Sequence, residues 1–453
     1  MMSNRRKEIL KPFQAAQEYM DDRVKNGIES HRKGFATLSF VDKEGKPVEQ
    51  VHVELKQKTH DFRFGANCFM LDSLESEEKD TEYKRLFAKL FNLATLPFYW
   101  NDLEPEEGKP RFAKNSPKVY RRPAPDLCIE FCNEHGIEPK VHCLNYDHFS
   151  PAWLSPDADV QTVKKYLDKR FFEIAERYRD VIPSMEVTNE TLCDKVQPSR
   201  CIAEHRHNSC FFHEPDIVEW SFEHARTYLP YTRLIINEAT DLIWGEAYHW
   251  NRSAYYMQIE RALSRGASID SIGMQYHMFY PAEEEAERTR LHYDPHTLYR
   301  VMDQYADFGK PLQVTEITIP AYSCRMEDEE LQAEIIRNLY SIWFSHRNME
   351  AIVYWNMVDG YAAFAPQGDM TSGENYFHGA LVRYDMTPKP AYRMLDDLIN
   401  RQWRTNGGYD SADQVTFKGF YGEYEAQVTV SGNTFPISFH VKKNQENRFV
   451  FTV

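Results

Sequence analysis

The chain has 453 residues, and its 54 basic and 69 acidic side chains give a formal net charge of −15. Such an acidic excess argues against nucleic acid or an anionic membrane surface as a partner, since both attract positive charge. The chain is long enough to bury a large core. It contains no run of ~18 apolar residues, so no transmembrane helix is predicted.

The cysteines and the N-terminus bear on the cellular compartment. The eight cysteines are scattered along a long chain, which fits reduced thiols better than a disulfide framework. Residues 1–7 carry positive charge, like the start of a signal peptide, but residues 13–18 read as an amphipathic helix instead of an apolar signal segment. We therefore expect a cytoplasmic protein.

The first predicted elements are a helix and a β-hairpin. Residues 35–40 and 51–55 alternate apolar and polar side chains on either side of a turn at 42–46. We assign residues 1–33 to an N-terminal helix and residues 34–60 to the hairpin.

Eight strand-like segments follow, separated by helical patterns. In the helical patterns apolar residues step by three or four positions, as at Val163, Leu167 and Phe171. Eight such βα units predict an α/β fold, a (β/α)8 TIM barrel over residues 61–405, with its active site at the carboxyl ends of the strands. The segments are 62–67, 90–97, 138–146, 184–190, 232–238, 269–279, 311–319 and 350–358.

The last segment, residues 406–453, returns to an alternating pattern. Four runs within it predict a small antiparallel sheet. We expect this sheet to join the N-terminal hairpin in an appended β module. Structural bracing is the interpretation we favour for the module, and carbohydrate binding is the alternative.

Two glutamates lie at or near the ends of predicted barrel strands. Glu190 closes the fourth segment and Glu316 lies in the seventh. Because parallel barrel strands end on one face, folding brings the two together. A pair of carboxylates there can cleave a glycosidic bond, with one protonating the leaving oxygen and the other attacking or stabilising the sugar cation.

Other strand ends carry side chains that suit a sugar site, although each of them alone also fits a structural role. Asn189 can hold a sugar 2-hydroxyl beside the acid. His277 can orient a nucleophilic carboxylate from the neighbouring strand. His142 lies at the barrel mouth on the third strand, and Trp355 on the eighth offers a flat floor for a sugar ring.

Together these stretches resemble glycoside hydrolase family 10, the retaining β-xylanases, through most of residues 62–400. Each motif is weak, but their order along the chain is specific. The matching stretches are Phe64-Gly65-Ala66, His142 and Leu144 with Pro151-Ala152-Trp153, Val187-Thr188-Asn189-Glu190, Leu234-Ile235-Ile236-Asn237-Glu238, Gly273 with Gln275 and His277, Val314-Thr315-Glu316-Ile317, Trp355 with Asp359, and Pro388-Lys389-Pro390-Ala391-Tyr392.

The resemblance implies a role for each residue. Glu190 would be the acid/base and Glu316 the nucleophile, with carboxyl groups ~5–5.5 Å apart and retention of the anomeric configuration. No metal or organic cofactor is implied. The predicted substrate-binding set is His142, Asn189, Gln275, His277, Trp355, Trp100, Tyr146 and Asn67.

The chain departs from the family where the glycone is held. The family's Glu-Asn-x-Met-Lys-Trp after the second strand is replaced within residues 94–102, where Trp100 remains but the three polar residues do not. The Trp-His after the third strand becomes Tyr146-Asp147. A site built to bond hydroxyls discriminates strongly, so the glycone pocket is predicted to be rebuilt.

We therefore expect a retaining, endo-1,4-β-xylanase-like glycoside hydrolase with a carbohydrate partner. The alternatives are a β-glycosidase for another oligosaccharide or a plant glycoside, a transglycosylase, and a carbohydrate-binding barrel without activity. The sequence leaves open the sugar identity, endo or exo action, and the oligomeric state.

A group of cysteines and histidines follows Glu190 in the sequence. Their spacing fits no common zinc finger. We interpret the segment as a packed loop that shapes the cleft, with a zinc site as the alternative. The residues are Cys193, Cys201, His205, His207, Cys210 and His213.

Overall fold

The computed structural model describes residues 4–193 and 209–453. Within these ranges, no helix combines the length and the apolar character needed to cross a bilayer. The helices are α1 (Asn4–Ala15), α2 (Gln17–His31), α3 (Glu77–Leu90), α4 (Trp100–Leu103), α5 (Pro125–His135), α6 (Val160–Tyr178), α7 (Ile217–Tyr228), α8 (Ala254–Ser264), α9 (Glu285–Arg288), α10 (Pro295–Ala306), α11 (Met326–Ser345) and α12 (Pro390–Asp397). The strands are β1 (Lys33–Val41), β2 (Val51–Gln57), β3 (Arg63–Asn67), β4 (Leu93–Pro97), β5 (Glu138–His142), β6 (Ser184–Asn189), β7 (Arg233–Glu238), β8 (Ser271–His277), β9 (Leu312–Thr318), β10 (Met349–Tyr354), β11 (Asn406–Ser411), β12 (Gln414–Phe420), β13 (Gly422–Val430), β14 (Asn433–Val441) and β15 (Asn447–Thr452).

Strands β3 to β10 form a closed barrel of parallel strands in chain order, with β10 paired to both β9 and β3. Outward-facing residues such as Phe64, Leu96 and Met185 join the main hydrophobic core with the surrounding helices. Both faces of each strand are thereby covered, as parallel sheets require. The predicted TIM barrel is confirmed, and each of the eight predicted segments overlaps one barrel strand.

The interior of the barrel changes from apolar to polar toward the carboxyl ends of the strands. Leu93, Ala351 and Val353 form a small apolar cluster inside it. Charged side chains also lie inside, including Lys140 and Glu186, which are 1% and 0% exposed. Charges buried this deeply need partners, and Lys140 and Glu186 are paired with each other.

Two helices, not one, precede the barrel. Helices α1 and α2 are separated at Ala16, and α1 buries Ile9, Leu10 and Phe13. Helix α2 packs closely on α11, where a Cβ atom on Gly27 would lie 2.5 Å from the carbonyl oxygen of Ser345. Glycine therefore permits the close approach of these two helices.

The appended β module consists of two sheets, in the orders β12-β1-β15 and β11-β2-β13-β14. All pairs within it are antiparallel except β1–β15, which is parallel. Leu38 and Phe40 of β1 share one core with Val53 of β2 and with Phe417 and Val428 from the C-terminal strands.

The predicted hairpin over residues 34–60 is wrong, because β1 and β2 lie in different sheets. Hairpin loops usually have ~2–5 residues, whereas the link 42–50 is longer. Each strand has one apolar face, and these faces cover each other only when the strands lie in opposing sheets. The C-terminal strands then supply both neighbours of each.

Candidate active site

Glu190 and Glu316 both lie at the carboxyl ends of the barrel strands. Glu190 follows β6 directly, and Glu316 is part of β9. Glu190 has a φ of 51°, in the left-handed region that residues other than glycine seldom adopt. Such conformations persist where the surroundings hold them and are concentrated at functional sites.

A single hydrogen-bonded bridge joins the two carboxylates. The Gln275 Nε2 atom donates to Glu190 Oε1 at 2.8 Å and lies 3.3 Å from Asn189 Oδ1. Asn237 Nδ2 donates to Asn189 Oδ1 at 2.7 Å and to Glu316 Oε1 at 2.8 Å. Three neutral side chains from β6, β7 and β8 therefore fix the position of one carboxylate relative to the other.

Tyr146 positions the second carboxylate oxygen of Glu190. Its hydroxyl donates to Glu190 Oε2 at 2.6 Å. Burial, reinforced by the charge of Glu190, raises the pKa of Tyr146 well above its usual range. Tyr146 therefore remains a neutral phenol that donates a hydrogen bond over the whole physiological pH range.

His277 and Thr318 position Glu316. The Nε2 atom of His277 lies 3.2 Å from Glu316 Oε2, and its Nδ1 atom lies 2.9 Å from the hydroxyl of Thr318. Asn237, on the other side of Glu316, is itself held by the hydroxyl of Thr315 at 2.6 Å. Both oxygens of Glu316 thus have partners, and the side chain is only 4% exposed.

A buried group of charges lies below Glu316. Lys140 Nζ donates to Glu186 Oε1 at 2.5 Å, and His142 Nδ1 contacts the other oxygen of Glu186. His142 Nδ1 also lies 3.9 Å from Glu316 Oε1. When His142 is protonated, the positive charges of Lys140 and His142 balance the negative charges of the two glutamates.

The pKa shifts in this group follow from burial opposed by charge. Burial alone would lower the pKa of His142, but the charges of Glu186 and Glu316 outweigh it and raise the pKa. Burial would likewise raise the pKa of Glu186, but Lys140 and His142 lower it to about 2. The protonated imidazole and the ionised carboxylate therefore stabilise each other.

The same group bears on metal binding. Ligand atoms of His142, Glu186 and Glu316 all lie within 4.8 Å of one another, a spacing that suits a divalent cation. The ammonium group of Lys140 already bonds Glu186 there, so the protein itself supplies positive charge. The expectation of a site without metal or cofactor stays a prediction.

The predicted Cys/His segment lies only partly within the described residues. Cys201, His205 and His207 are outside them. The Sγ atom of Cys210 lies 3.1 Å from the carbonyl oxygen of Ala158, a weak hydrogen bond that ties this end of the segment to the loop before α6.

Four aromatic side chains line the other side of the mouth, and we call them the aromatic wall: Phe69, Tyr99, Phe149 and Trp355. The Trp355 ring centroid lies 5.2 Å from that of Phe69 and 5.4 Å from that of His142. The Tyr99 hydroxyl lies 3.1 Å from His142 Nε2. Phe69 and Tyr99 were not among the predicted residues, although the run Phe98-Tyr99-Trp100 signalled aromatic density.

Trp100 and Asn67 lie differently from the other predicted substrate-binding residues. Trp100 packs in the main core and donates its Nε1–H to Glu104 at 2.9 Å, so its neighbour Tyr99, and not Trp100, faces the barrel mouth. Asn67 ends β3, and its buried Nδ2 atom has no hydrogen-bond partner among the described residues. The assignment of both to substrate binding stays a prediction.

The profile of Glycosyl hydrolase family 10 matches residues 59–398. The chain belongs to glycosyl hydrolase family 10. The resemblance of the ordered motifs is thereby confirmed. The barrel and the two strand-end glutamates belong to the matched region, whereas most of the β module lies outside it.

The individual relatives are distant in sequence. The chain is similar to the anti-sigma-I factor RsgI6 of Acetivibrio thermocellus, with 24% identity over 91% of this chain and 47% of that protein. It is similar to endo-1,4-beta-xylanase 2 of Arabidopsis thaliana, with 21% identity over 91% of this chain and 34% of that protein. The chain thus spans about half or less of the length of these relatives.

Among solved structures, xylanase 10B from Thermotoga petrophila RKU-1 in complex with xylobiose shares the fold. It aligns with a TM-score of 0.57 and 19% identity, covering 76% of this chain and 95% of that chain.

Proposed function

We propose that this family 10 protein cleaves β-glycosidic bonds with retention of configuration, using Glu190 as acid/base and Glu316 as nucleophile. One observation carries the proposal: a bridge of Gln275, Asn189 and Asn237 joins both carboxylates at the barrel mouth. Carboxylates held this way suit the short separation of ~5–5.5 Å that a covalent glycosyl intermediate requires.

The reaction has two displacement steps. In the first, a carboxylate oxygen of Glu316 attacks the anomeric carbon, the bond to the leaving oxygen breaks, and the proton of Glu190 passes to that oxygen. In the second, Glu190 takes a proton from water, the water oxygen bonds to the anomeric carbon, and Glu316 leaves. Each carboxylate ends in its starting state.

The neighbouring groups support both steps. The cationic His142 lies 3.9 Å from Glu316 and stabilises the negative charge that returns when the nucleophile leaves. His277 and Asn237 hold the attacking oxygens in place. Tyr146 fixes the direction of the acid toward the scissile bond.

Xylose-based substrates are the first to test. The names of the Arabidopsis relative and of the Thermotoga petrophila structure, which contains xylobiose, support this choice. The rebuilt glycone side supports a wider range, because Tyr99 now faces the position where the family carries polar residues. We therefore propose a panel of aryl β-glycosides: xyloside, glucoside, galactoside, arabinoside and xylobioside.

The decisive experiment is turnover of the best panel substrate by Glu316→Ala. The variant is expected to lose at least ~10⁴-fold in kcat, because without the nucleophile no covalent intermediate forms. Glu82→Ala, on the exposed side of α3, is the matched control and should keep wild-type activity. Turnover by Glu316→Ala at the wild-type rate would remove Glu316 from the mechanism.

Carbohydrate recognition without turnover is a second candidate function. It is considered because a relative that matches 91% of this chain is named as an anti-sigma-I factor, a regulatory protein, and not as a glycosidase. The panel separates the two functions: a binding protein would gain thermal stability with one of these sugars and release no aglycone from any of them.

A further inference from the structure

The position of Glu190 indicates which part of the substrate lies on each side of the cleft. An acid that protonates the leaving oxygen must lie beside the leaving group, so the aglycone occupies the Glu190 side. The glycone ring then lies over Trp355, toward the ends of β10, β3 and β4, which are neighbours in the barrel. The loops after these strands, 68–76, 98–124 and 355–389, therefore form the glycone end.

These three loops are bonded to one another across the end of β3. Lys118 in the second loop donates to the carbonyl oxygen of Asp72 in the first at 3.1 Å. Tyr361 in the third loop donates its hydroxyl to Glu75 in the first. Arg121 in the second loop donates to the carbonyl oxygen of Tyr361. The glycone end is thus a continuous surface, not three separate loops.

Arg121 is the central contact of this surface. It is 6% exposed, and both of its terminal nitrogens lie 3.4 Å from the side-chain oxygen of Asn356. Asn356 in turn donates to Glu374 at 2.7 Å. A guanidinium group is buried only where several acceptors compensate its lost hydration. We call Arg121, Asn356 and Tyr361 the latch.

The aromatic wall contacts the latch through Phe69, since the guanidinium carbon of Arg121 lies 5.8 Å from the centre of the Phe69 ring. The rings of Tyr99 and Phe149 stack with centroids 4.2 Å apart, and Phe69 meets Tyr99 at 5.8 Å. The guanidinium of Arg122 lies 4.2 Å above the centre of the Tyr99 ring. Little space remains between these groups, since Phe69 and Tyr99 are only 1% and 5% exposed.

Among the described residues, those on the opposite side of the mouth are less deeply buried. Glu190, His277 and Phe279 are all partly exposed. A second glycone ring beyond Trp355, by contrast, meets aromatic side chains that are buried.

We propose that the latch and the aromatic wall close the glycone end, so that the site binds one terminal sugar ring and the protein cleaves β-glycosides from the non-reducing end of a chain. This inference rests on the proposed function. A second glycone ring has to displace aromatic side chains that are packed out of water, which is unfavourable because it exposes their apolar surface. Residues Arg121, Tyr99 and Phe149 thereby determine specificity.

The first test compares wild-type protein on paired substrates. Aryl β-glycosides with a one-ring and a two-ring glycone of the same sugar are compared, together with a hexasaccharide labelled at its reducing end. We expect kcat/KM to be at least about tenfold higher for the one-ring glycone, and the hexasaccharide to be shortened one residue at a time. Release of internal fragments would overturn the proposal.

The second test opens the glycone end. Arg121→Ala breaks the contacts of the latch. Phe149→Ala removes a half-buried ring of the wall and leaves the latch in place. The second variant keeps the test possible if the first does not fold. Each folded variant should lower the preference for the one-ring glycone about tenfold. Arg85→Ala, an exposed arginine of α3 that pairs with Glu82, is the control.

The outcomes separate the two proposals. If the folded variants keep the wild-type preference, the latch and the wall do not set specificity. If wild-type protein cleaves the two-ring glycone as well as the one-ring glycone, exo action fails while the proposed function stands. If wild-type protein turns over no glycoside of either length, both proposals fail.

Discussion

The two halves of the barrel mouth are built on different principles. On the side of β6 to β9, short polar side chains at strand ends bond directly to one another and to both glutamates. On the side of β3, β4 and β10, long loops carry aromatic rings and Arg121 over the strand ends. The first half depends on strand register, and the second on loop sequence.

The difference shows how one fold keeps its chemistry while its substrate changes. Strand register is fixed by the barrel, so Asn189, Asn237 and Gln275 keep their mutual distances as long as the barrel closes. A loop residue such as Arg121 is held by contacts with another loop, so its replacement leaves the carboxylates undisturbed. Substitutions in one half can therefore be compared with the other half as a reference.

After Glu316→Ala, the largest effect is expected for Glu190→Ala, also in the polar half. Substrates with poor leaving groups should lose ~10²–10⁴-fold in kcat/KM, because the leaving oxygen is no longer protonated. Substrates with good leaving groups need little protonation and should keep a measurable glycosylation step. An equal loss for both classes, measured by steady-state and burst kinetics, would contradict the acid role.

Glu186→Gln tests the buried charges below Glu316. With the carboxylate gone, Lys140 and His142 lose their charged partner, so the free energy of unfolding should fall by about 3–5 kcal/mol. The surface change Glu82→Gln should lower it by less than ~0.5 kcal/mol. Denaturant unfolding measures both values.

The loss of unfolding free energy caused by Glu186→Gln should depend on pH in a defined direction. The pKa of Glu186 is lowered to about 2 in the folded state. Its contribution to the free energy of unfolding is therefore present above an unfolded pKa of ~4.3 and lost as the pH falls toward 2. The pKa of His142 is raised, so its contribution is full below ~6.5 and lost as the pH rises through the folded value. The difference between wild type and Glu186→Gln should therefore be largest between pH ~4.3 and ~6.5. If the unfolding free energies of wild type and Glu186→Gln run parallel against pH, the coupling between Glu186 and His142 is contradicted.

Tyr146→Phe removes one hydrogen bond from Glu190 and leaves the ring in place. A bond to a charged group contributes about 1.5–3 kcal/mol, so kcat/KM should fall ~10–100-fold. Stability should change little, because Tyr146 is only partly buried. A rise in KM alone, with kcat unchanged, would place Tyr146 in binding and not in positioning of the acid.

The smallest effects come from a pair of tryptophans that distinguishes the glycone floor from the core. Trp355→Ala should raise KM about tenfold, since the sugar ring loses its apolar contact. Trp100→Phe should leave KM unchanged and lower the free energy of unfolding by about 1–2 kcal/mol, because Glu104 loses the indole N–H. The reverse pattern would place Trp100, not Trp355, beneath the sugar.

The sequence predicted the barrel well, because each strand is a buried run bounded by a helical pattern. It also indicated Glu190, Glu316 and His277, because polar groups that end apolar strands must have partners. It did not indicate Glu186 as the partner of Lys140 and His142. That pairing depends on side chains that point into the barrel, and the inward face is not marked in strands that are apolar on both sides.

The loops were less predictable for a related reason. Tyr99 and Trp100 are adjacent aromatic residues, and only the backbone after β4 decides which one faces the mouth. The latch joins Arg121 to Tyr361, and no local pattern reports a contact over that sequence separation. The wrong hairpin prediction has a similar cause. Alternating apolar and polar residues in β1 and β2 predict two strands but do not show which strands pair with them.

The pairing of β1 and β2 with strands from the far end of the chain has a consequence for biosynthesis. At ~5–20 residues per second, these two strands wait on the order of tens of seconds on the ribosome before β12 and β13 emerge. During that interval their unpaired edges and apolar faces are open to other nascent chains. When β12 and β13 pair with β1 and β2, these edges and faces are covered, and this route to aggregation closes.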